Sequence, residues 1–195
     1  MENEKVEKQL IYKIIIIIFV LLLVTGIVKI LDYKNSIELC QLKDNGTSQM
    51  MGYIITTKNN NTIVIDGGTQ DDTENLVEQI KNKTGKVNYW FITHPHKDHA
   101  STLIDIVKNT DIEIDHIYVT LNDIEWYKKN DPNRFGEIND FLDELKNDKI
   151  SQKVEEVELN QNIMIDNIRC QILGIKNPEI VTNATNNSSM VIKMQ

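Results

Sequence analysis

The sequence predicts an α/β domain of layered, mixed-sheet (α+β) type behind a single apolar helix. Three observations lead there. Residues 14–28 form an uncharged apolar run. Short β-branched segments separated by turn residues follow it. Strand-like segments then alternate with segments of helical period, the pattern of strand–helix–strand units. A chain of 195 residues has room for one domain with a sizeable core.

Extended to residues 10–31, the apolar run reaches the ~20 residues a helix needs to cross a bilayer. Only Lys13 and Lys29 interrupt it, near its ends, where long cationic side chains snorkel to the interface. A buried core helix would show a polar face, and this segment has none. The basic start (Lys5, Lys8, Lys13) suits an uncleaved anchor or a cleaved signal peptide. No small-x-small cleavage site follows; Val24-Thr25-Gly26 is a poor one. The preferred reading is therefore a cytoplasmic N-terminal segment (1–13), a single-pass transmembrane anchor (10–31) and a domain over 36–195. The positive-inside rule favours an extracytoplasmic domain, although Lys29 and Lys34 also flank the span. Cys40 and Cys170 pair if the domain lies outside the cell and stay thiols if it lies inside.

Within the domain, residues 36–42 and 51–57 read as strands around the turn-rich Asp44-Asn45-Gly46-Thr47. Thr62-Ile63-Val64-Ile65 is a third strand, closed by Asp66-Gly67-Gly68. From 73 to 83 the period changes: Leu76, Val77 and Ile80 share a helical face, with Asp72 or Thr73 as N-cap. Residues 87–93 form a strand, 101–109 a helix, 117–120 a strand, and 134–146 a helix carrying Phe135, Ile138, Phe141, Leu142 and Leu145. Strands return at 154–159, 163–165 and 168–173, the last two around an Asp166-Asn167 turn. A polar stretch, 183–188, leads into a strand at Met190-Val191-Ile192.

Composition trims the functions without choosing one. The net charge of -8 argues against a broad nucleic-acid surface, which needs clustered Lys and Arg. An acidic protein still holds metal cations.

The chemistry is concentrated in Thr93-His94-Pro95-His96-Lys97-Asp98-His99, which holds three of the four histidines in the chain. His94 and His96 are two apart, so an extended backbone sends both imidazoles to one side. Pro95 stiffens the segment between them. Asp98 and His99 follow as the chain turns into a helix. Imidazole and carboxylate donors in this mixture suit zinc, as one or two ions, with manganese or iron as the alternatives. His116, alone in sequence, reads as structural. Trp90-Phe91 and Trp126-Tyr127 read as packing residues.

His-Pro-His-Lys-Asp-His matches the HxHxDH pattern of the metallo-β-lactamase superfamily, and it lies between a buried strand and a helix as in that family. Ile63-Val64-Ile65-Asp66-Gly67-Gly68 resembles the family's strand ending in Asp-Gly-Gly, and residues 51–68 resemble its opening hairpin. Asn187-Ser188-Ser189-Met190-Val191 is similar to the branch of the competence-type DNA-uptake domains. The resemblance implies an αββα sandwich, its first half plus part of the second. It implies that His94 and His96 bind a first metal and Asp98 and His99 a second. Asp98 then orients a metal-bound hydroxide that attacks an ester, amide or phosphoester, and Asp66 supports a ligand histidine. The substrate, a small molecule or a phosphoester, is unspecified; nucleic acid is allowed by the branch but not supported by the charge.

Two features depart from the family. Ala100-Ser101-Thr102 stand where Gly-Gly is common. No histidine follows His116, and Asp166 sits in a hairpin turn that does not suit a bridging ligand. The expectation from these absences is a truncated, incomplete domain. The alternative to a membrane-anchored hydrolase is then a catalytically inactive, membrane-tethered remnant or binding domain.

Overall fold

The computed structural model describes residues 2–34, 37–44, 46 and 50–195, with residues 2–5 and 32–34 described by their backbone alone. It divides into two units, Met1–Ser36 and Ile37–Gln195. The first is one helix, α1 (Glu2–Lys34). Its segment Val6–Leu31 is long and apolar enough to cross a membrane. The apolar side chains leave no polar face and remain exposed in the unit itself, Leu22 at 66% and Phe19 at 61%. The polar connection expected at 32–35 continues the helix as far as Lys34; Asn35 lies outside the described residues.

In the second unit, a six-stranded sheet runs in the order β1-β2-β3-β4-β5-β6. Its strands are β1 (Glu38–Gln41), β2 (Gly52–Thr56), β3 (Thr62–Asp66), β4 (Val87–Phe91), β5 (Ile114–Val119) and β6 (Val154–Glu156). The first three pair antiparallel; β3 through β6 pair parallel. The parallel pairs are joined by α2 (Thr73–Lys83), by α3 (Lys97–Asn109), and by α4 (Ile124–Asn130) with α5 (Phe135–Glu144). A three-stranded antiparallel sheet holds β7 (Asn162–Ile165), β8 (Ile168–Gly174) and β9 (Val191–Met194), with the short helix α6 (Ala184–Asn187) before β9.

Both faces of the large sheet are covered, which is why β3 to β5 read as nearly continuous apolar runs. On one face Val64, Trp90 and Ile117 pack against Leu76, Ile80, Leu103, Ile106 and Phe141 of the helices. On the other, Ile63, Phe91 and Tyr118 meet Ile165, Ile168, Cys170 and Ile172 of the small sheet. Successive residues of β3 therefore serve different cores, as a period of two requires. The layered, mixed-sheet α/β architecture agrees with the sequence reading.

Several boundaries differ. The helix expected from 101 begins at Lys97, so Asp98 and His99 occupy its first turn rather than a preceding loop. The strand expected at 154–159 is only three residues long. Helices α4 and α6 were not expected, being too short to establish a period. Ser36 of the first expected strand, and Asn45 and Thr47 of the expected turn, lie outside the described residues. Cys40 and Cys170 are both free thiols.

The two sheets are latched at one end by Asp166. It adopts a left-handed conformation (φ 54°) in the β7–β8 turn. Its carboxylate accepts hydrogen bonds from Thr57 Oγ1, from Asn59 Nδ2 at 2.7 Å and from Asn61 Nδ2 at 3.1 Å, all in the β2–β3 turn. These donors, Thr57 foremost, hold the carboxyl below the usual aspartate range.

At the opposite end of β3, Asp66-Gly67-Gly68 meets α3. A Cβ on Gly67 would lie 2.0 Å from Thr102 Oγ1, and Gly68 has φ +98°. Thr102, one of the residues replacing the family's Gly-Gly, is fully buried, and its hydroxyl lacks a hydrogen-bond partner. The bulk that α3 carries at Thr102 is thus accommodated by the missing side chain at Gly67. Gly67→Ala is expected to destabilise the domain by about 1–3 kcal/mol, the usual cost of overpacking. Adding Thr102→Ala should recover most of that loss in urea denaturation, because the clash is specific to this pair.

Candidate metal centre

The histidine motif follows directly from the end of β4. Thr93 N donates to Asp66 Oδ1 at 2.7 Å and Thr93 Oγ1 donates to Asp66 Oδ2 at 2.9 Å. The turn after β3 thereby grips the chain just before the motif. Trp90, fully buried, fixes the same turn by donating its indole N–H to the Asp66 carbonyl at 2.8 Å. His96 is the N-cap of α3, with extended backbone (φ -71°, ψ 149°), and its carbonyl accepts from His99 N and Ala100 N. Asp98 falls in the first turn, where a carboxylate is favoured by the helix dipole. The Asp98 carbonyl takes the N–H of Met51, tying the start of α3 to the approach into β2.

The geometry brings the four predicted ligand residues together. The ring centroids of His94 lie 4.8 Å from His96 and 3.9 Å from His99, and His99 Nε2 is 3.5 Å from Asp98 Oδ2. Each imidazole has one nitrogen within hydrogen-bond distance of an oxygen behind it, and His99 Nε2 also faces Asp98 from further off. His99 Nδ1 contacts Asp66 Oδ2 at 2.8 Å. His94 Nδ1 contacts Thr93 Oγ1 at 3.1 Å. The Thr93 hydroxyl proton goes to Asp66, so its oxygen accepts from His94. His96 Nε2 contacts Asp131 Oδ2 at 2.8 Å. Since these partners act as acceptors, each contacting nitrogen carries the proton and the other keeps its lone pair.

The remaining nitrogens decide what the arrangement can do. Among the described residues, His94 Nε2 and His96 Nδ1 are buried without a partner at hydrogen-bonding geometry, the Asn186 side chain being the polar group beside His94. A buried polar atom left so is costly and calls for an explanation. Two bare imidazole nitrogens, each on a ring oriented from behind by an oxygen, fit a divalent cation. Among the described residues no group of three or more His, Cys, Asp or Glu side chains is already closed around a metal-sized space. The imidazoles are oriented; the cage is open.

A cavity of about 740 Å³ adjoins the cluster, lined by His96, Asp98 and His99 with Met50 and Met51 on one side and Asp131, Arg134, Asn183 and Asn186 on others. Arg134 Nη1 lies 3.3 Å from Asp98 Oδ1. Hydrogen bonding to its own backbone and the charges of His99 and Arg134 outweigh burial, so the Asp98 carboxyl sits below its usual range. Sequence reasoning missed Asp131, Arg134 and Thr185. Asp131 stands in Asn-Asp-Pro-Asn, which reads only as a turn, and no local signal marks the other two. His116 lies outside the cluster, stacked on Tyr89 at 5.3 Å and paired with Glu155 at 2.7 Å.

The model of the metallo-beta-lactamase superfamily matches residues 49–162, more than half of the chain. The chain belongs to the metallo-β-lactamase superfamily. Solved structures share the superfamily fold at low identity. One is an archaeal superfamily protein, ST1585 from Sulfolobus tokodaii, with 15% identity, TM-score 0.50, and coverage of 80% of this chain and 60% of that one. Another is the metallo-β-lactamase SMB-1 bound to 2-mercaptoethanesulfonate, with 18% identity, TM-score 0.50, and coverage of 83% and 59%. A third is a B3 metallo-β-lactamase described as having an active-site glutamic acid, with 13% identity, TM-score 0.53, and coverage of 80% and 53%. The chain spans 39% of one matched superfamily structure and 60% of another. No curated protein matches the sequence.

Burial, followed by the charges of His99 and His96, pushes the His94 imidazole down to about 3 from its ordinary 6.5. Because the folded value lies below the unfolded one, the contribution to stability is complete above pH 6.5 and is lost as pH falls towards 3. The metal-free protein is therefore expected to lose on the order of a few kcal/mol across that window. Thermal denaturation at stepped pH checks this, and His94→Gln should flatten the dependence.

Proposed function

We propose that this chain carries the metal-binding residues of a zinc-dependent hydrolase that cleaves an ester, amide or phosphoester bond next to a membrane. The observation that carries the reading is the pair of buried, unpartnered nitrogens, His94 Nε2 and His96 Nδ1, each on an imidazole held from its other nitrogen. His94 and His96 would hold a first cation, Asp98 and His99 a second. Zinc, when bound, supplies an activated water at neutral pH and a Lewis acid for the scissile group.

The chain's own residues supply orientation and charge. Asp66 holds His99 with Nε2 turned towards Asp98. Asp98, an ionised carboxylate at the cavity wall, would accept a hydrogen bond from a water bound there and so orient it. Arg134, the one Lys or Arg among the described residues lining the cavity, would face a substrate's developing negative charge from beside Asp98. The α1 helix would tether this site to a bilayer surface, with an apolar segment of sufficient length.

Metal analysis of the purified full-length chain tests the site. The wild type is expected to retain zinc after dialysis, and the His94→Ala/His96→Ala variant to lose it by at least 10-fold, as removal of ligands demands. Equal zinc in both proteins would overturn the assignment. For the tether, the chain should stay with the membrane fraction through alkaline carbonate extraction, and release into the supernatant would refute it.

A further inference from the structure

We propose that Asp131 is the positioning residue of His96, holding its imidazole with the proton on Nε2 and the Nδ1 lone pair presented to a divalent cation, and that Thr185 makes this hold depend on the seating of the segment before β9. The inference rests on the reading of the cluster as a metal site.

The His96 side chain is 3% exposed and that of Asp131 19%, and their contact is 2.8 Å. A carboxylate can only accept there, so Nε2 carries the hydrogen. Among the described residues the opposite nitrogen, Nδ1, is buried and meets no donor or acceptor. The imidazole is thus held in one tautomer with one open lone pair. The exposed pair His116–Glu155 makes a useful contrast. There the side chains are 44% and 47% exposed, and solvent serves whichever nitrogen the carboxylate does not. At His96, unlike His116, the partner dictates what the opposite nitrogen offers.

Asp131 is itself held on several sides. Its N–H donates to the Tyr127 carbonyl at 2.8 Å, closing α4, and its carbonyl accepts from Arg134 N. Pro132 follows and keeps Asp131 out of the helical region, in agreement with its φ of -142°. The carboxylate is fixed by Thr185 Oγ1, which donates to the same Oδ2 at 2.6 Å. Thr185 is 1% exposed. The segment it belongs to is fastened on both sides of the histidines. Met190 N donates to the Thr93 carbonyl at 2.8 Å, and Ser188 Oγ accepts from Asn122 Nδ2 at 3.0 Å. If this segment is displaced, Asp131 loses its hydroxyl partner and His96 its fixed orientation.

The test uses the full-length chain in detergent micelles, labelled with 15N-histidine; four histidines give few resonances. In the metal-free wild type, His96 is expected to show the Nε2–H tautomer alone. Asp131→Ala should give a mixture of tautomers and, in calorimetric titration with zinc against a competing chelator, an affinity lower by about 10–100-fold. Asp131→Asn, which keeps an acceptor oxygen without the charge, should fall by less. Thr185→Val should fall by a few-fold while its thermal midpoint shows that it is folded. A folded Asp131→Ala that keeps the single tautomer and wild-type zinc affinity would overturn the proposal. If Asp131→Ala does not fold, Thr185→Val decides instead, and unchanged tautomer and affinity there would overturn it. Failure of the wild type to bind zinc, with the tautomer shift still present, would remove the metal reading and leave Asp131 as the residue that sets the His96 tautomer.

Discussion

The site depends on the carboxylate of Asp66. Buried at the end of β3, it would be expensive to desolvate without donors, and it collects three: the N–H and hydroxyl of Thr93 and Nδ1 of His99. These donors come from both ends of the histidine motif, so a single charged group closes the motif into a loop. The Asp66 backbone, at φ 55°, is in a conformation that aspartate tolerates better than most residues. The indole of Trp90 secures it by hydrogen bonding to its carbonyl. Asp66 therefore converts a strand end into a platform from which three imidazoles are aimed.

The surrounding fold makes that platform rigid. Parallel strands β3 and β4 end side by side at the motif, in the position where open α/β sheets gather their sites. Cores on both faces of the large sheet fix the strands from which Asp66 and Thr93 emerge. The Asp166 latch joins the two hairpin turns at the far end, and the Met190–Thr93 hydrogen bond joins the sheets near the site. With the sheets tied at two ends, the distance between the motif and the segment before β9 is set by the fold rather than by the loops.

What was legible in the sequence follows from the range of the interactions involved. Apolar, β-branched runs between turn residues located the strands of the described residues, and the 3.6 period located α2, α3 and α5, because burial of each element leaves a local mark on its own residues. The motif marked the candidate cluster, since His94, His96, Asp98 and His99 lie within six consecutive residues. Asp66 was accessible through the Asp-Gly-Gly turn, where Gly67 is required by Thr102 and Gly68 by its positive φ. Asp131 and Thr185 were not legible. Each is a common turn or polar residue, and its meaning arises only from a contact across 35 or 54 positions. The early start of α3 was hidden because His96 caps the helix with its backbone geometry, without a side-chain hydrogen bond to mark the cap.

The spread of those contacts has a consequence for the order of assembly. The histidines are adjacent in sequence, yet their orientation is completed by Asp66, 33 residues before His99, and by a relay that reaches Thr185. Contacts of this span close large loops and form late, after the local helices and hairpins. A chain that has emerged past His99 but not as far as Thr185 already contains the partners of His94 and His99 and lacks the last partner in the chain of contacts behind His96. The orientation of His96 is therefore completed only when the segment before β9 has docked.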